Sequence, residues 1–317
     1  MSAAMDKLFR PRPLHPWESL IMRFLFAELV WRSFERVLRP EAFTAVKAGT
    51  GLTHLTQWTW LGDAAGWFDF SYLFAPDFVP FLKVAMLVCL LVYVAGLLKP
   101  VVTPAVTLVH IAAFSMFNSQ GYTHHGYQII SLILLAQSIV YVLPWAMRLF
   151  RKELRLREGV GIEDLAVFYS QLVIAACYVL PALSKLLKSG FEWVLKSPGM
   201  LATQLVKTHE QAYYNVLDPV FREKAETSIQ WVLDNPGMVQ LMMGSALALE
   251  FFAFLALANR WMALLIGGSL IVMHRCIEPL MELAFPTNEF CIWVYLVNIP
   301  FWTMVLFKIY QGKKKDV

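Results

Sequence analysis

The sequence predicts an all-α, polytopic transmembrane helical bundle, and three observations carry that prediction. Of 317 residues, 58% are apolar and only 16% are charged, whereas soluble domains run near one-quarter charged. The mean hydropathy is +0.55. The apolar runs are about 20 residues long and do not alternate, which is the length of a membrane-crossing helix and not the pattern of a barrel strand. Lipid satisfies no backbone N–H or C=O group, so such a chain closes its hydrogen bonds within helices.

About eight spans are expected, near 17–38, 81–98, 101–120, 126–149, 164–186, 237–258, 260–282 and 288–310. Glu18, Arg23, Glu28, Arg32 and Glu35 punctuate the first. It is therefore either a helix buried in the bundle with its charges inward or an amphipathic helix lying in the interface. The other seven are predominantly apolar. Segment 39–80 carries Trp58, Trp60, Trp67, Phe68, Phe70, Tyr72 and Phe74, the aromatics of a segment resting among headgroups. Segment 187–236, between Ser-Pro-Gly at 197–199 and Asn-Pro-Gly at 235–237, reads as a cap of short amphipathic helices.

Lys and Arg bias sets the expected orientation. Lys7, Arg10 and Arg12, the turn at Lys99, the loop from Arg148 to Arg157, the turn at Arg260 and the tail 311–317 with Lys313, Lys314 and Lys315 are basic. Eight crossings place all of these on one side, so both termini are expected to be cytoplasmic. Segments 39–80 and 187–236 then face the non-cytoplasmic side, and residues 1–317 form a single transmembrane domain. The N-terminal residues lack a short apolar core followed by a small-residue cleavage site, so no signal peptide is expected. The net charge of +4 is modest and the basic residues sit at run ends, which gives no nucleic-acid stripe. Cys89, Cys177, Cys276 and Cys291 lack metal-type or CxxC spacing, so no metal site or redox pair is expected.

Ionisable residues at membrane depth are costly and each is a functional hypothesis. In this topology Lys185, His124, His125, His274 and Glu278 all fall toward the outer leaflet. His274 and Glu278 are spaced i, i+4 on one helix face, where a carboxylate holds an imidazole as a proton relay; alternatively Glu278 pairs with Arg275 or with another helix. Lys185 either snorkels to the interface or, held out of water, serves as a base. Glu250, deep in the sixth span, needs a partner, and Arg23 is the expected one. His110 donates to a neighbouring helix or to a ligand.

Four segments together resemble the vitamin K-dependent γ-glutamyl carboxylases and their HTTM domain, over roughly residues 17–310. Tyr178-Val-Leu-Pro-Ala-Leu-Ser-Lys185, followed by Trp193, is similar to the span ending in that family's catalytic lysine. His124-His125-Gly-Tyr127 resembles its Asn-His segment, Met273-His274-Arg-Cys276 its Phe-His-Cys segment, and Glu250-Phe-Phe the position of an acidic residue followed by an apolar run. The resemblance implies a lyase or oxidoreductase in which Lys185 is the base and His125, His274 and Glu278 stabilise charge or relay protons. His124, Tyr127, Tyr178, Trp193 and Glu250 would bind the substrate or a reduced isoprenoid, vitamin K-like quinone. Ser184-Lys185 stands where the family has a lysine pair, Pro181 where it has glycine or alanine, and nothing after residue 310 corresponds to its large lumenal region. The implied partners are the bilayer, the quinone, and a secreted peptide or another membrane subunit. The competing class is a non-catalytic maturation or assembly factor, or an accessory subunit. A transporter ranks last, because no span is broken in matching halves.

Overall fold

A computed structural model describes residues 9–39, 75, 77–119, 125–152, 154, 156–281 and 283–315. Among these residues twelve α-helices follow in order: α1 Pro16–Val37, α2 Val79–Val94, α3 Lys99–Ser119, α4 Gln128–Leu149, α5 Ile162–Ser189, α6 Glu192–Leu195, α7 Ser197–Val216, α8 Val220–Asp234, α9 Pro236–Phe251, α10 Arg260–Met281, α11 Pro286–Ile292 and α12 Ile299–Lys315. Short 3₁₀ stretches at His125–Tyr127 and Phe252–Leu257 and a π-helical turn at Trp293–Val297 complete them. Among the described residues there is no strand.

Helix occupies all eight predicted segments, but not all are built to span. Four stretches are long and apolar enough to cross a membrane: α4, α5, α9 with its 3₁₀ extension, and α10. A fifth is added if Pro286–Val297 and Ile299–Phe307, bent by 44°, count as one. Helix α2 and the apolar part of α3 are shorter, and α1 carries charge along its whole length. Segment 39–80 lies mostly outside the described residues, whereas 187–236 forms the expected short helices α6 to α8.

Contacts group the described chain into two compact units, one built from Arg10–Val173 with the chain from Asn298 onward, the other from Ile174–Val297. Helix α5 contributes its first half to one and its second half to the other. In the first unit, α1 begins where His15 and Glu18 form a reciprocal capping box ahead of Pro16. Met22, Phe26, Val30, Phe34 and Val37 recur every three or four residues and are buried, giving α1 an apolar face toward α2, α3 and α12. The charges of α1 are largely satisfied: Glu18, 1% exposed, accepts from Asn298, and Arg23 pairs with Glu163 at 2.8 Å. Glu18 and Arg23 thus face inward, whereas Arg32 is 73% exposed and pairs with Glu28 along the helix surface. The α2–α3 turn needs glycine at residue 96, where φ is +77° and an added Cβ would stand 3.4 Å from the Arg23 guanidinium.

Polar seams tie the helices of this unit together. Tyr93 donates to Gln137 at 2.7 Å, Gln137 donates to Ser170 at 3.0 Å, and Thr107 meets Ser138 at 2.7 Å. His110, fully buried, bridges Ser33 and Ser131 at 3.1 and 2.9 Å. It joins three helices, which is the packing role. Buried hydrogen-bonded seams of this kind fix helix register where hydrophobic burial alone does not discriminate.

In the second unit, α7 and α8 form a helical hairpin whose base buries Leu201, Leu205 and Val232 against Val239 of α9. Gly267 of α10 lets the π-turn approach, because an added Cβ would lie 3.1 to 3.2 Å from Leu296, Ile292 and Val297. Only 17% of the apolar stretch of α9 is buried, against 44% for α4. Helix α9 therefore turns most of its surface outward, a face suited to lipid.

Candidate functional site

The second unit assembles five of the residues singled out in the sequence. Tyr178 and Lys185 lie seven residues apart on α5, two turns along one helix face. Lys185 donates to Glu250 at 2.6 Å, and its Nζ stands 4.8 Å from the centre of the Trp193 ring. The side chains are 28% and 17% exposed, so the pair is shielded but not sealed. Two turns back along α5, Tyr178 and His274 share a hydrogen bond at 3.3 Å, and Phe285 stacks on the imidazole at 4.9 Å. Asn288 and Glu250 also stand within electrostatic reach of the Tyr178 hydroxyl. His274 is 3% exposed, and its Nδ1 has no hydrogen-bond partner among the described residues.

Two expected pairings are replaced. Glu250 is neutralised by Lys185, whereas Arg23, the expected partner, binds Glu163 at 2.8 Å and the Val94 carbonyl at 3.2 Å. Glu278 does not hold His274. Helix α10 turns it outward to 3.6 Å from Arg275, the local pairing weighed as the alternative. Arg275 reaches on to the buried Glu289 at 2.6 Å. Glu289 was not anticipated, because its partner sits on a preceding helix and no local spacing announces it.

An apolar cavity of about 270 Å³ lies in the same unit, lined by Val239, Met243, Ala246 and Leu249 of α9 and by Met273 and Cys276 of α10. Glu250 follows directly on Leu249, the last residue of α9 to line this slot. From Val239 to Leu249 the slot runs about 15 Å at the helical rise. Its walls offer thioether and alkyl groups, which adapt to an extended apolar chain.

The other predicted residues belong to the first unit. Of His125 the backbone alone is described, at the start of the 3₁₀ turn, and His124 lies outside the described residues. Tyr127 is buried, accepts from Arg36 at 2.8 Å and lines a separate cavity of about 220 Å³ with Asn118, Gln128 and Ser131. The charged centre of this unit, missed in the sequence, is Glu163, which receives Arg23, Lys99 and the Tyr141 hydroxyl. An acidic residue in the first turn of a helix is favourable there in any case, so Glu163 gives no signal of its own in the sequence. Among the described residues no three His, Cys, Asp or Glu side chains are placed to hold a metal.

These features define an all-helical chain with four or five helices of membrane-spanning length and a lysine–carboxylate centre beside an apolar slot. No family model matches the chain, and no curated protein or solved structure matches it either.

Proposed function

We propose that this chain is a membrane-embedded, quinone-linked enzyme resembling the vitamin K-dependent γ-glutamyl carboxylases, with Lys185 as its base. The observation that carries the reading is the incomplete use of the Lys185–Glu250 pair. An ammonium has three donors, and among the described residues one goes to Glu250 while the Trp193 ring covers another side. A further direction remains for a ligand, and the pair is reachable.

The residues present suit such a group. Within the 2.6 Å hydrogen bond, Lys185 can pass a proton to Glu250 and become a neutral amine. The amine then takes a proton from a hydroxyl placed against it, and the Glu250 proton leaves through the site's mouth. Tyr178 and His274 form a second relay beside it, with His274 Nδ1 available to a ligand. Trp193 shields the pair from water and holds the lysine in place. A reduced isoprenoid quinone would supply the acidic hydroxyl and, with oxygen, the oxidising power to modify a peptide or small substrate. Its apolar chain fits the slot of α9 and α10.

The same reading takes all eight helical segments as crossings, with both termini and the basic loops cytoplasmic and the site open to the non-cytoplasmic side. The alternation of basic and uncharged connections supports it. A second reading, a non-catalytic maturation factor or accessory subunit, is favoured by the outward apolar surface of α9, which would suit a partner helix.

Mass spectrometry of lipids co-purified with the wild type and with Lys185→Ala, coupled to oxygen-dependent consumption of added reduced quinone, tests the proposal. Bound quinone with turnover that disappears in the variant is the expected result. A folded wild type with neither quinone nor turnover overturns it and favours the accessory role.

A further inference from the structure

The segment that joins α5 to α9 is tethered at one glycine and at one asparagine. Helix α5 ends at Gly190, where φ is +56° and an added Cβ would meet nothing within 4 Å, so the backbone and not the packing calls for glycine. Asn235, with φ −122° and ψ 50°, separates α8 from α9. Between these two points α6 buries none of its residues, and α8 buries Val232 alone.

The segment's apolar attachment to α9 and α10 is narrow. Leu201, Leu205 and Val232 meet Val239 of α9 in one small cluster, with Met243 and Met281 packed against it. Gln240 of α9 donates to the Leu195 carbonyl at 2.9 Å, and Val194 rests on Gly244, where an added Cβ would stand 3.4 Å from Val194 Cγ1. The Lys196–Glu192 ion pair closes α6 on itself and adds nothing to the attachment. Relative movement is the default unless an interface is large and hydrophobic, and segments with few buried contacts are the ones that open first.

What this segment covers is the Lys185 site. Trp193 of α6 sets its ring centre 4.8 Å from Lys185 Nζ, while Leu201 of α7 and Trp231 of α8 line the apolar slot. One segment thus bears on both halves of the site, the charged pair and the slot. From this we infer that α6–α8 is a lid, turning about Gly190 and Asn235 between the closed arrangement of this structure and an open one. In the open state Trp193 leaves the ammonium, and Leu201 and Trp231 leave the slot. Opening admits a ring-sized ligand against Lys185; closing over it excludes water, as lids do on microsecond-to-millisecond timescales. The inference rests on the Lys185–Glu250 pair being the site proposed above, and it adds a gating role for Trp193.

Labelling of Lys185 by a bulky N-hydroxysuccinimide ester, located by peptide mass spectrometry of the full chain in detergent, tests the lid. Val194→Cys with Gly244→Cys, in a Cys276→Ser background, places two thiols within disulfide reach and locks α6 to α9 on oxidation. The locked protein is expected to label at Lys185 about tenfold more slowly than the same sample after reduction, the effect of removing a minor open state. Lys188, exposed on the same helix, is the internal standard and should label equally in both. Trp193→Ala, a change at the cover itself, should raise Lys185 labelling about tenfold over wild type. Equal labelling of the locked and reduced protein overturns the inference. So do thiols that stay free under oxidant in the folded protein, since α6 then does not rest on α9, and so does Trp193→Ala labelling like wild type. The ratios are read without quinone or turnover, so the two readings fail separately: turnover without gating sinks the lid alone, and gating without quinone sinks the enzyme alone.

Discussion

The two units treat buried charge in opposite ways. In the unit built on α1 to α4, Glu163 receives two cations and a tyrosine hydroxyl, so its acceptor capacity is filled by the fold itself. In the unit built on α7 to α11, Glu250 receives Lys185 alone among the described residues, and the lysine keeps donor capacity in a half-open position. A charge cluster with every valence met holds helices together. One with a valence left over, beside an apolar slot, is equipped to meet a ligand. The contrast separates structure from chemistry more sharply than residue type does, because both centres are a carboxylate with a lysine.

The largest expected effect that would break the comparison is on turnover. Lys185→Met should reduce quinone-dependent turnover by about 10²–10⁴-fold, the usual contribution of a general base. Pairing it with Glu250→Leu should return the stability to near wild type without restoring turnover, since a partly buried ion pair is often replaceable by apolar packing. Recovery of turnover in the double variant would assign the pair to the scaffold.

Glu163→Ala should destabilise by about 3 kcal/mol or more, because it leaves Arg23 and Lys99 facing each other without an anion. Thermal unfolding in detergent measures this, and a loss much smaller than that of Glu250→Ala would reverse the roles assigned to the two carboxylates. Filling the slot with Leu249→Trp should lower co-purified prenyl lipid about tenfold, with an overpacking cost of about 1–3 kcal/mol. Unchanged lipid content would show that the slot is not where the chain lies.

Tyr178→Phe removes one shared hydrogen bond and should cost about 1 kcal/mol in unfolding free energy. A loss of turnover beyond that factor would sharpen its role in the relay, and no loss would remove it. The smallest effect is expected for Glu278→Gln, within about 0.5 kcal/mol by thermal unfolding, since its pairing with Arg275 is exposed. A loss of 2 kcal/mol or more, as for a buried carboxylate, would reinstate Glu278 as the partner of His274.

Much of the fold was legible because long apolar runs are a local property. The positions of α4, α5, α9 and α10 follow from hydropathy, and the short helices between Ser197 and Asn235 follow from Pro-Gly punctuation and mixed polarity. Helix α1 was ambiguous for a physical reason: its charges are compatible with water or with partners, and the partners Glu163 and Asn298 stand far away in the chain. The site residues Tyr178, Lys185, Trp193, Glu250 and His274 were named from the sequence. Their pairing was not, since i, i+4 spacing identifies neighbours on one helix and says nothing about neighbours across helices. Lys185 and Glu250 are 65 residues apart.

By itself the sequence determined that this protein is helical and carries several membrane-length apolar segments. Only the tertiary structure decided that Lys185 meets Glu250, that Arg23 meets Glu163, and that Glu278 turns away from His274. Hydrophobic burial is non-directional and can be summed along a chain. An ion pair or a hydrogen bond exists only when two particular atoms come within about 3 Å, and that is a property of how helices are rotated against one another.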